Sequence, residues 1–87
     1  MLEELIGQVV VLDLRSAFVC LGKLERVDEH YLEMRNADLH DLRDTQTTRE
    51  NYVASSRATG IKKNRKKVLV LRSEVIACSR LEDVVEA

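Results

Sequence analysis

The residue that most constrains this chain is Gly22, set within the strand-like run Ala17 to Val27, where Phe18, Cys20, Gly22 and Leu24 fall in phase. A glycine inside a strand marks a sharp bend or the close approach of another backbone, as where a small barrel turns a corner. The preceding run, Gln8 to Leu14, puts Val10, Leu12 and Leu14 on one side and Val9, Val11 and Asp13 on the other. Because that alternation is only partial, both faces of this first strand are expected to be covered. Arg15 and Ser16 turn the chain between the two runs. Asp28, Glu29 and His30 make the next turn, and Tyr31 to Leu39 is a third strand, with Leu32 and Met34 on one face and Tyr31, Glu33 and Arg35 on the other.

Eleven valines, three isoleucines and four threonines favour strands, since β-branched side chains pack well on a pleated surface. Aromatics are 3% of the chain and Trp and Pro are absent, so the core must be aliphatic. The reading is a mostly β protein. Its 87 residues suit a single domain, 1–87, near the lower size at which a core closes without disulfides or metals. Burial against sister subunits is an economical source of further stability. Cys20 and Cys78 each lie in an apolar run without metal-site or redox spacing, and read as buried small hydrophobes.

Outside these strands the pattern changes. Met1 to Ile6 reads as a short amphipathic turn ending at Gly7, with Leu2, Leu5 and Ile6 on its apolar side, capping a barrel mouth. Arg43 to Lys66 is a polar, basic insertion that is expected to project from one face. Within it Thr47 and Glu50 have capping-box spacing and Gly60 stands where a short helix would end. Val68 to Leu71 and Val75 to Ser79 are the fourth and fifth strands, and the three residues between them predict close neighbours. Leu81 to Ala87 is an acidic tail, forming one helical turn or extending the last strand.

Net charge is −1, but its distribution is uneven. Residues 1–47 hold 10 Asp/Glu against 5 Lys/Arg, whereas residues 48–87 hold 5 against 9. Between 49 and 72 there are eight cations and one acid, including Lys62, Lys63, Arg65, Lys66 and Lys67 within six positions. Such a segment on a nearly neutral protein is either a solvated loop or a surface directed at phosphate. No uncharged run approaches the ~20 residues of a membrane span, and cytoplasm is the default expectation. Three scattered glycines form no phosphate-binding loop, and no nucleophile–base set is evident, so neither catalysis nor a cofactor is expected. Asp38, His40, Asp41 and Asp44 read as a solvated polar turn, and no metal ligand is named.

Several spacings agree with one known pattern. Gly22-Lys23-Leu24 with Asp28 four residues on keeps Gly-x-Leu-x-x-x-Asp, and Val70-Leu71-Arg72-Ser73-Glu74-Val75 places an apolar pair before Arg and a hydrophobic strand. The chain thus resembles the Sm and Sm-like family over nearly its whole length. The resemblance implies a strongly bent, five-stranded, SH3-type small barrel with a short N-terminal helix and a long insertion between strands three and four. It also implies a non-catalytic homo-oligomeric ring, closed by pairing the fourth strand of one copy with the fifth of the next, which binds single-stranded RNA. Its RNA site corresponds to His30 at the base-stacking position, Tyr31 beside it and Arg72. Two positions depart: Leu32 follows where the family has Met-Asn, removing the base-reading Asn, and Ser73 replaces Gly. Asp28 reads first as a carboxylate capping turn amides, and Arg72 as a partner for Glu74 or Glu82 or as an RNA contact. Two functions follow, an RNA-binding ring or a ring that scaffolds proteins without RNA.

Overall fold

The computed structural model describes residues 1–85, so Glu86 and Ala87 of the predicted tail lie outside the described residues. Five strands, β1 (Val9–Leu14), β2 (Phe18–Val27), β3 (Tyr31–Asp41), β4 (Arg65–Leu71) and β5 (Val75–Arg80), form one antiparallel sheet in the order β4-β3-β2-β1-β5. A 3-10 turn, Leu2–Leu5, precedes β1, and a helix, α1 (Arg49–Thr59), lies between β3 and β4.

The bend expected at Gly22 is present, and contact with β3 causes it. The β2–β3 register shifts between Leu21 and Lys23, and opposite this break Asn36 takes a left-handed conformation with φ 49°. A Cβ at Gly22 would sit 2.9 Å from the Ala37 Cα and Cβ and from the Arg35 carbonyl oxygen. Only a residue without a side chain lets the strands cross this closely. The sheet curls there, and one core collects Val10, Leu12 and Leu14 from β1, Cys20 and Leu24 from β2, Leu32, Met34 and Ala37 from β3, and Val70 from β4. Val75 and Cys78 of β5 pack against it, as do Leu2 and Leu5 of the N-terminal turn. Ile6, expected beside them, is exposed because the chain has already turned toward Gly7, whose φ is 89°.

β1 is covered on both sides, as expected, and so is β2 as far as Leu21. Their outer residues Val11, Val19 and Leu21 form a second core with Tyr52 and Val53 of α1, joined by Leu42, Ile61, Leu81 and Val84. Thus the insertion does not project: its helix folds back onto the sheet. Eleven residues are too few for a stable isolated helix in water, so this docking sustains α1. Thr48, one residue later than expected, is the N-cap, its hydroxyl accepting from the Asn51 amide at 3.1 Å. Gly60 ends the helix with φ 103°, as expected.

Other boundaries moved for the same tertiary reason. β3 continues to Asp41, and the ladder it offers draws the predicted loop cations Arg65, Lys66 and Lys67 into β4. The insertion therefore ends before Arg65. β4 and β5, though joined by only Arg72–Glu74, are not paired neighbours but the two opposite edges of the sheet. The tail makes a 3-10 turn at Leu81–Asp83, and Val85 stays exposed.

Gly22→Ala should cost about 1–3 kcal/mol, the range for forcing atoms into a packed site. Urea unfolding monitored by circular dichroism measures it. An unchanged midpoint and slope would contradict the close-approach account.

Candidate nucleic-acid interface

The turn between β2 and β3 is organised by Asp28. Its carboxylate accepts from the His30 amide at 2.8 Å and the Tyr31 amide at 2.7 Å. Those two bonds, His30 first, hold the Asp28 carboxyl below its ordinary value. The 3-10 turn Arg72–Glu74 lies alongside: the Arg72 amide donates to the His30 carbonyl at 2.8 Å, and its guanidinium to the Asp28 carbonyl at 2.9 Å. His30, Tyr31 and Arg72 are therefore brought together by two adjoining turns at one end of the sheet. Arg72 engages this backbone rather than Glu74 or Glu82. Asp28, Glu29 and Glu74 flank it, so the turn pair as a whole carries more negative than positive charge.

The basic residues fall elsewhere. Lys62 and Lys63 follow the end of α1, while Arg65, Lys66 and Lys67 open β4. Because Tyr31 pairs with Leu71 and Arg35 with Lys67, the nearest strand cation stands four residues, ~13 Å of strand, from Leu71, and Arg65 six residues, ~20 Å. The predicted site thus separates into two regions. Along β4, Arg65 and Lys67 share the outer face with Leu69 and Leu71, and Lys67 lies 3.5 Å from Glu33.

The polar group that sequence reasoning misplaced is Asp38. Instead of a solvated turn it is 1% exposed, accepting the Tyr52 hydroxyl and the Asn64 side-chain amide, the latter at 3.1 Å. His40 stacks on Tyr52 with ring centroids 4.0 Å apart. Asn64 also bonds both backbone groups of Leu39. Together these ties fasten α1 and the segment leading to β4 onto β3. Burial and the Asp38 bond push the Tyr52 hydroxyl above its ordinary range, and burial raises the Cys20 thiol to about 12. Both groups support the fold at neutral pH, and that support is lost as pH rises beyond the ordinary thiol and phenol values. Asp41 and Asp44 are separate from this cluster. Asp41 receives the Arg43 amide and guanidinium, which hold its carboxyl at about 2. The one signal for the cluster was polar spacing, which does not reveal burial.

No protein-family model and no curated protein matches the chain. Among solved structures, the Pyrococcus abyssii Sm protein in complex with a uridine heptamer matches with a TM-score of 0.61 and 18% identity, over 90% of this chain and 89% of that one. The bent five-stranded sheet with its short N-terminal 3-10 helix is an Sm-like fold. The fold expected from Gly22, Asp28 and Arg72 is therefore the fold found. Among the described residues no helix is long and apolar enough to cross a membrane.

The Asp28 turn generates a pH prediction. A lowered folded pKa means that the carboxylate's support is present above the ordinary aspartate range and disappears as pH falls through the lowered value. In NMR titrations the His30 and Tyr31 amide resonances should shift together with the Asp28 side chain, at a midpoint below 3.8. Amides that ignore this titration would show that the turn is held by something else.

Proposed function

We propose that this protein binds single-stranded RNA as a ring of identical copies, without catalysing a reaction. The observation that carries the reading is the joining of His30, Tyr31 and Arg72 by the Asp28-centred turns, in a fold shared with an Sm protein bound to a uridine heptamer. A planar guanidinium stacks on bases and contacts phosphate, and His and Tyr rings offer flat surfaces to unstacked bases. With Leu32 buried in the core, no amide side chain stands at that position to read a base edge, so base preference is expected to be weak.

Assembly is supported by the two free edges. Among the described residues β4 pairs only with β3 and β5 only with β1, and Leu69, Leu71 and Ile76 are left exposed on these outer strands. Such edges invite pairing with another copy. Joining the fourth strand of one copy to the fifth of the next is a head-to-tail contact, which closes as a ring of about five to eight. A protein-binding ring is the second reading, and the excess of Asp28, Glu29 and Glu74 around Arg72 favours it.

Binding of labelled oligouridine to the intact protein, measured by fluorescence anisotropy beside light scattering, tests the proposal. The expected mass is a multiple of 10.0 kDa. His30→Ala or Tyr31→Ala should cost ~1–3 kcal/mol where the ring stacks on a base. Arg72→Ala should weaken binding and any residual base preference together. No RNA affinity at low salt would leave the protein-binding ring as the account, and a 10.0 kDa mass at micromolar concentration would remove the ring.

A further inference from the structure

Lys23, Arg35 and Lys67 stand in one row across three strands: Lys23 is the register partner of Arg35, and Arg35 of Lys67. Directly opposed residues share a face, so three cations leave the outer surface of the sheet from backbones ~5 Å apart. That spacing lies within the ~8 Å screening length of physiological salt, and like charges in such positions work against the fold. The acids nearby are already engaged. Glu33, 6% exposed, receives Arg26 at 2.8 Å and Lys67 at 3.5 Å, while Glu25 lies 3.5 Å from Lys23. Among the described residues Arg35 has no ion-pair partner.

Both ends of the row extend the pattern. On β1 the partner of Lys23 is Val9, which lines a surface groove of about 530 Å³ with Arg57 and Lys63. The acid lining that groove, Glu82, is 3.0 Å from Arg80, and among the described residues Arg57 and Lys63 have no ion-pair partner. In the other direction Tyr31 shares the outer face of β3 with Arg35, four residues or ~13 Å away, and is 40% exposed. Repelling cations in a row, with further cations at one end and a flat ring along the same face, suit a polyanion that carries bases. An acidic peptide would satisfy the charges but has no general use for the ring.

We propose that the outer face of β2, β3 and β4 is a second binding surface, on which Lys23, Arg35 and Lys67 take the phosphate backbone of a single-stranded nucleic acid. It deepens the RNA reading above, on which it rests, by giving the backbone a path away from the acid-flanked Arg72 turn.

The test measures binding of labelled oligouridine and oligoadenosine to the full chain over a range of salt. Lys23→Gln and Arg35→Gln should each weaken both RNAs alike and flatten the logarithmic salt dependence by ~0.7. The melting temperature of Arg35→Gln, which removes no ion pair among the described residues, should equal or exceed that of the unaltered protein, because cross-strand repulsion is relieved. If the double variant keeps full affinity and slope while Arg72→Ala weakens binding, this surface is refuted and the RNA reading stands. If the intact protein binds neither RNA, both fail. Polyglutamate binding more tightly than either RNA through the same two residues would make the face a protein-docking surface and overturn the proposal.

Discussion

The structure depends on the contact between Gly22 and Ala37. Without a side chain at position 22, β2 passes close to β3, the register shifts, and Asn36 absorbs the change with a positive φ. The resulting curl lets strands at opposite ends of the sheet share one aliphatic core. The turn after β2 lies beside the turn after β4 for a separate reason: Tyr31 pairs with Leu71, so the Arg72 amide meets the His30 carbonyl as the β3–β4 ladder runs out. The close approach of two backbones therefore shapes the core, while the β3–β4 register determines where the aromatic rings and the guanidinium meet.

The second constraint is burial on both faces of β1 and of β2 as far as Leu21. Val11, Val19 and Leu21 need a cover, and α1 supplies it with Tyr52 and Val53. The Tyr52 hydroxyl also satisfies Asp38, a carboxylate whose burial would be costly without donors. Thus one helix serves an apolar and a polar requirement at once. Because Asn64 meets the same carboxylate, the chain leaves the helix already positioned to enter β4, which aligns Arg65 and Lys67 on the outer face.

Much of this was legible in the sequence. Gly22, the phase of Val10, Leu12 and Leu14, and the Asp28 turn announced a bent sheet, and the partial alternation of β1 announced its second covered face. Three features were not legible because tertiary contacts created them. Arg65 to Lys67 have no pattern of a strand, and pairing with β3 makes them one. Asp38 sits among polar neighbours in sequence and becomes buried only through Tyr52, fourteen positions later. The row Lys23–Arg35–Lys67 needs a register, since no linear spacing connects three residues on three strands.

Two charge environments bear on the proposed RNA binding. The Arg72 turn joins the His30 and Tyr31 rings to acids, whereas on the outer sheet Lys23 and Lys67 each face one acid and Arg35 none among the described residues, and Tyr31 shares that outer face. Photocrosslinking of the intact protein to oligouridine, followed by mass spectrometry of tryptic peptides, examines that junction directly. The account predicts a uridine adduct on the peptide from Val27 to Arg35, which carries His30 and Tyr31. Adducts confined to peptides outside this segment, or none at all under conditions where RNA is bound, would contradict it.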